Sequence, residues 1–324
     1  MVRVKHLFIF NFKTLKGNLK LRIISTIVLS TIIYSFCLLT FQKSHENKIL
    51  RKNYFANKFD KNNKSDILFI GNSRVECGVN TILISKKTGL SCYNFGIPLT
   101  SFNGDIYFDF VYDKLDTSIS PVIVVGLSPS TIMYYPSPKS TNELMMAYLK
   151  KPKIEFLKEK YFYKYLSNFS SYSPIQLFYS MIDRDYWFSS RVYNDDGWKK
   201  SFDYPMNEFR TNELFKNMYQ SLKVNNNQYD TLLSKIKQWS EQGIIVLGFN
   251  CPTGGNLEEY ERELGEFDEI DISNKFNAAG GHWIFIPGRN NFKSYDGSHL
   301  HYDGANKLSN LLADSISSHI GKSF

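Results

Sequence analysis

Cysteine is scarce, with only Cys37, Cys77, Cys92 and Cys251 in 324 residues. Cys37 falls in a long apolar run, and the other three are an odd number whose spacing matches no zinc pattern. A fully paired disulfide framework and a structural zinc site are therefore both excluded. Buried free thiols are expected, with room for one disulfide. Internal repeats are absent, and low complexity is confined to Asn225–Asn227. Acidic residues are missing from the first 22 positions, where Arg3, Lys5, Lys13, Lys16, Lys20 and Arg22 carry six of the eight net positive charges. The +2 that remains is spread over a long body, which is no footprint for nucleic acid.

The basic segment leads into a stretch without charge. Residues 23–41 are almost wholly apolar, about the length needed to cross a bilayer core of roughly 30 Å. The spacing predicts a transmembrane helix behind a cytoplasmic tail at 1–22, which would place the rest of the chain outside the cytoplasm. Lys48, Arg51, Lys52 and Lys58 on the far side blunt that charge asymmetry. A cleaved signal peptide would have a shorter apolar stretch and a small-residue cleavage site, and no A-x-A-like sequence comes after Phe41. Phe36 stands where lipidation at Cys37 would need a small residue. The alternative, a buried core helix, would be unusual at this length without a polar face. Residues 42–64, rich in Lys and Asn, read as a helical stalk or linker.

From residue 65 to 324 the pattern changes to short apolar runs bounded by Gly, Pro or Asn: Ile67 to Ile70, Cys92 to Phe95, Val122 to Val125, Ile244 to Phe249 and Trp283 to Ile286. Continuous β-branched runs without alternation suggest strands buried on both faces, as in a parallel sheet. Helical spacing fills several of the gaps, at Phe102 to Leu115, Tyr229 to Trp239 and Gly304 to Ile320. The alternation predicts an α/β fold: a three-layer α/β/α domain with a five-stranded parallel sheet. Between the third and fourth runs, at about 131–227, lies an aromatic-rich interruption that includes Tyr134, Tyr135, Tyr161, Phe162, Tyr163, Tyr165, Tyr186, Trp187 and Phe188. It has no period-2 signal and reads as a mainly helical insertion or lid, or as a second small core.

Ligand sites in such sheets gather beyond the carboxyl ends of the strands. Gly71-Asn72-Ser73-Arg74 ends the first run and opens a helical stretch. Backbone N–H groups at a helix start suit an oxyanion, although a serine there is also a common N-cap. Asp296 and His299 lie three apart on the loop before the last helix. One turn can hold the carboxylate against the imidazole Nδ1–H and leave Nε2 free to take a proton from a serine hydroxyl, which is a weak nucleophile unaided. Asp303 reads as the cap of the final helix, His282 as a structural residue, and His301 as a competing base. Arg74 could bind an anionic substrate group or make a structural ion pair.

Taken together, Gly71-Asn72-Ser73, Gly96 in YNFGIP and Asp296-Gly297-Ser298-His299 resemble the motifs of the SGNH, or GDSL-type, hydrolase family, across roughly residues 66–320. The resemblance implies Ser73 as nucleophile, His299 as general base and Asp296 as its orienting acid. It also implies an oxyanion hole formed by the N–H groups of Ser73 and Gly96. Where the family often has Gly-x-Asn-Asp, this chain has Gly126-Leu127-Ser128-Pro129, so Ser128 takes the place of the side-chain donor. Loss of such a donor costs about 10²- to 10³-fold in rate. The N-terminal apolar run and the mid-chain insertion resemble a membrane-anchored subgroup of bacterial envelopes, loosely similar to proteins of teichoic-acid D-alanyl transfer and alginate O-acetylation. That resemblance implies a serine esterase or O-acyltransferase acting on an acylated envelope glycan, partnership with a membrane-bound acyltransferase, and no metal or organic cofactor. The alternative it leaves open is an SGNH-shaped module that binds glycan or scaffolds the acyltransferase without chemistry of its own.

Overall fold

The computed structural model describes residues 23–33, 48–60, 62–98, 102, 105–117, 121–133, 141–163, 188–204, 206–222, 224 and 226–321. The chain divides into two units, Met1–Lys43 and Ser44–Phe324. In the first, residues 23–33 form a helix whose Ile23, Ile24, Ile27, Val28, Ile32 and Ile33 are exposed. Among the described residues no helix is long and apolar enough to cross a membrane. The tail at 1–22 and the rest of the expected span at 23–41 lie outside the described residues.

In the second unit the five apolar runs become strands of one parallel sheet: β1 (Ile67–Gly71), β2 (Cys92–Gly96), β3 (Val122–Leu127), β6 (Ile245–Asn250) and β7 (His282–Ile284). Their order is β2-β1-β3-β6-β7, with Gly71 opposite both Gly96 and Gly126. Strand alternation sends Leu68, Ile70, Ile123 and Val125 to one face, where they meet helices α1 (Lys48–Lys58), α4 (Asp105–Lys114) and α8 (Asn226–Glu241). Ile67, Phe69, Val122 and Val124 point to the other face, against α2 (Ser73–Gly78), α3 (Thr81–Thr88) and α11 (Tyr302–His319). Two apolar faces on one sheet explain why the runs are uninterrupted in sequence.

One expectation is corrected and another extended. The segment at 42–64, expected to be a helical stalk or linker, does include a helix, α1, but its Tyr54, Phe55 and Phe59 are buried in the larger core cluster instead of standing apart from the domain. Lys58, at its end, has no exposed surface: its ammonium lies 4.5 Å over the Tyr54 ring, 3.4 Å from Glu76, and donates to the Gly96 carbonyl. The insertion, mainly helical among the described residues as expected, also contains strands. Besides α5 (Thr141–Leu149), α6 (Lys153–Leu157) and α7 (Asn212–Ser221), it holds an antiparallel hairpin of β4 (Phe188–Tyr193) and β5 (Lys199–Tyr204). Gly197 turns that hairpin at φ +82°, and a Cβ there would lie 2.1 Å from the Asn94 carbonyl oxygen. The turn therefore presses on β2, and Trp198 Nε1 donates to the Cys77 carbonyl at 3.0 Å behind α2. Tyr134, Tyr135, Tyr165, Tyr186 and Trp187 lie outside the described residues. Cys77, Cys92 and Cys251 are buried free thiols, and burial raises all three, Cys92 and Cys251 to about 12.

Candidate active site

The turn leaving β1 is built around Asn72. Its Oδ1 accepts the Arg74 N–H at 2.9 Å, capping α2 so that Ser73 becomes the first helical residue. The Ser73 N–H consequently has no intrahelical acceptor. Ser73 is half-buried, while its helix neighbours Arg74, Val75, Glu76 and Cys77 are buried. The close seating of α2 requires a glycine at the end of β2, because a Cβ on Gly96 would lie 2.4 Å from the Glu76 nitrogen.

The loop before α11 brings the second half. His299 Nε2 lies 2.8 Å from Ser73 Oγ, and its Nδ1 lies 2.9 Å from Asp296 Oδ2. The other carboxylate oxygen, Asp296 Oδ1, accepts the N–H groups of Ser298 at 2.9 Å and His299 at 2.8 Å. Burial alone would raise the Asp296 carboxyl; the imidazole beside it and these hydrogen bonds outweigh burial and hold it below the ordinary value. A carboxylate so held fixes the imidazole with Nδ1 as donor and leaves Nε2 to accept the serine proton. The loop itself is pinned: Ser294 Oγ donates to the His299 carbonyl at 2.7 Å and accepts the Gly297 N–H at 2.8 Å. The Tyr295 ring stacks on the imidazole at 5.7 Å between centroids.

Other expected site residues fall elsewhere. Arg74 is buried, with Nη1 2.5 Å from Glu261, Nη2 3.4 Å from the Tyr219 hydroxyl and Nε 3.3 Å from Ser298 Oγ. Its guanidinium is turned inward, so the substrate-binding role gives way to the ion-pair alternative. Gly96 N–H donates to Asn94 Oδ1 at 2.9 Å, so this expected oxyanion donor already has an acceptor. Ser128 has no exposed surface, and its Oγ accepts from Asn72 Nδ2 at 2.8 Å. His301 caps α11 by accepting the Asp303 N–H at 3.5 Å, which reverses the capping role given to Asp303. His282 is exposed on β7, its ring 5.2 Å from that of His319. Sequence reasoning missed Ser130, whose Oγ lies 2.9 Å from Asn72 Nδ2.

No family model matches the sequence, and no curated protein matches it. Among solved structures, the chain is similar to a protein named for platelet activating factor from Streptococcus pneumonia. The match has 15% identity and a TM-score of 0.34, covering 89% of this chain and 99% of that one. It is also similar to a carbohydrate esterase whose active site displays divergent catalytic and non-catalytic binding functions, at 12% identity and a TM-score of 0.36, covering 78% of this chain. A third is the acetyl xylan esterase Est2A from the rumen bacterium Butyrivibrio proteoclasticus, at 10% identity and a TM-score of 0.33, covering 79% of this chain. The chain spans 64% of the length of each of these two esterases.

Proposed function

We propose that the chain is a serine esterase or O-acyltransferase in which Ser73 is the nucleophile, His299 the base and Asp296 the residue that orients it. The observation that carries this reading is the unbroken pair of hydrogen bonds from Ser73 Oγ to His299 Nε2 and from Nδ1 to Asp296. As the Ser73 Oγ–carbon bond forms, His299 takes the hydroxyl proton and the carbonyl electron pair moves onto oxygen. When the tetrahedral species collapses, the ester C–O bond breaks and His299 gives its proton to the departing alkoxide, leaving an acyl group on Ser73. A second hydroxyl then repeats the sequence in reverse: water releases a free acid, and a sugar hydroxyl yields a new ester. The Ser73 N–H is one donor for the oxyanion.

The basic tail and the apolar run at 23–41 support tethering to a membrane with the domain on its outer side. Together with the family resemblance of the motifs, this favours an acylated envelope glycan as substrate and a membrane-bound acyltransferase as partner. Hydrolysis of p-nitrophenyl acetate tests the chemistry. Ser73→Ala and His299→Ala should fall to the uncatalysed background, and Asp296→Asn should lose about 10⁴-fold in kcat because it favours the wrong tautomer. A Ser73→Ala variant as fast as the wild type would overturn the assignment.

A further inference from the structure

The hydrogen bonds around Asn72 assign a role to Ser130. Strands β1 and β3 are neighbours, so the turn at Asn72 and Ser73 lies beside residues 128–131 as they leave β3. The Asn72 carboxamide spans the two turns. Its oxygen accepts the Arg74 N–H, which fixes the orientation of the amide: a flip would set an NH₂ group against an N–H. Both amide hydrogens then point to hydroxyls, one to Ser128 Oγ at 2.8 Å and the other to Ser130 Oγ at 2.9 Å.

The two hydroxyls are 3.1 Å apart, and either could donate to the other by distance alone. Burial decides the direction. Ser128 is fully buried; its hydroxyl oxygen faces two donors, the Asn72 amide and the Thr131 backbone N–H, and Ser130 is the acceptor within its reach among the described residues. If Ser130 donated to Ser128, the Ser128 hydrogen would be buried without an acceptor, at a cost of about 1–3 kcal/mol. The Ser128 hydroxyl therefore donates to Ser130. The Ser130 oxygen now accepts two hydrogen bonds, and its own hydrogen has to leave the triangle. Ser130 is half-buried, so that hydrogen has an open side to turn to, beside the turn that carries Ser73. Two accepted bonds also polarise the hydroxyl and strengthen it as a donor.

We propose that the Ser130 hydroxyl is the side-chain donor to the oxyanion formed on attack by Ser73, a role that rests on Ser73 being the nucleophile. The proton stays on Ser130 throughout; the hydroxyl stabilises charge and transfers nothing. Ser128, the residue expected in this role, acts one step behind it, fixing which way the Ser130 hydrogen points.

The test is steady-state hydrolysis of p-nitrophenyl acetate by the full chain. Ser130→Ala should lower kcat by about 10²-fold or more, the usual loss for one oxyanion donor, while KM stays within about threefold. Ser130→Thr, which keeps the hydroxyl, should recover most of the rate. A merely structural role would produce neither the kcat-selective loss nor the rescue. Wild-type kcat in Ser130→Ala alongside an inactive Ser73→Ala would overturn the role of Ser130 and leave the nucleophile standing. A threonine variant as slow as the alanine variant, with both melting like the wild type, would also overturn it. Wild-type rates in Ser73→Ala would remove both assignments.

Discussion

Replacing Arg74 by Met separates the two roles open to a cation beside the nucleophile. The guanidinium and the Glu261 carboxylate are each only 2% exposed and sit 2.5 Å apart. Burial opposes the arginine's charge, but Glu261 more than compensates and the group is held strongly protonated. Tyr219 bonds to both partners, at 3.4 Å to Arg74 and 3.2 Å to Glu261, and the Phe215 ring lies 5.6 Å from the guanidinium carbon. Removing the arginine leaves Glu261 buried and uncompensated, which costs about 3–5 kcal/mol. For a domain of this size that corresponds to a fall in Tm on the order of 10 °C. Urea unfolding followed by tryptophan fluorescence measures it. Arg74→Met/Glu261→Leu removes both charges and should return to within about 1–2 kcal/mol of the wild type, since replacing a whole buried pair is often near neutral. If Arg74→Met unfolds like the wild type and instead raises KM, the guanidinium serves substrate and the inward assignment is wrong.

Gly96→Ala should destabilise the domain by several kcal/mol, because the new Cβ would lie 2.4 Å from the Glu76 nitrogen and 2.9 Å from the Asn72 carbonyl oxygen; a wild-type unfolding midpoint would show that α2 is not seated as described. Stability should rise with pH between about 7 and 8.5. Burial pushes Lys58 down to about 8 and Lys114 to about 7, against the opposing pull of Glu76 and Asp60. Unfolded lysines stay protonated to about pH 10, so each lysine contributes a positive slope of up to about 1.4 kcal/mol per pH unit. The three buried thiols, held protonated in the fold but titrating at about 8.5 when unfolded, oppose it increasingly toward the top of the window without reversing it. The urea midpoint should climb accordingly and climb less in Lys114→Met; a midpoint that falls across the window contradicts the burial of these ammonium groups.

The sheet was legible because its strands are buried on both faces and leave uninterrupted β-branched runs, each bounded by a turn residue. The contact of Ser73, Asp296 and His299 was legible for a different reason: neither short motif is specific alone, and their joint resemblance to a family pattern brought them together. The features that escaped the sequence depend on long-range compensation. The Lys- and Asn-rich surroundings of Tyr54, Phe55 and Phe59 hid a core helix, because Lys58 becomes a buried residue only when Glu76 and the Gly96 carbonyl are brought to it. The β4–β5 hairpin has its turn signal in Asp196-Gly197, but the flanking residues do not alternate cleanly, and Lys199 is held by Glu76 at 2.5 Å instead of facing solvent. Arg74 was ambiguous without Glu261 in view. The shift of the donor role from Ser128 to Ser130 comes from burial and proton direction, which residue spacing does not encode.

In the proposed mechanism His299 and Asp296 activate Ser73. Treating the full chain with a fluorophosphonate and mapping the adduct by peptide mass spectrometry tests it most directly. One stoichiometric adduct is expected on the peptide carrying Ser73, none in Ser73→Ala, and labelling slowed to near background in His299→Ala. Equal labelling of all three proteins, or an adduct on a different serine, would contradict it.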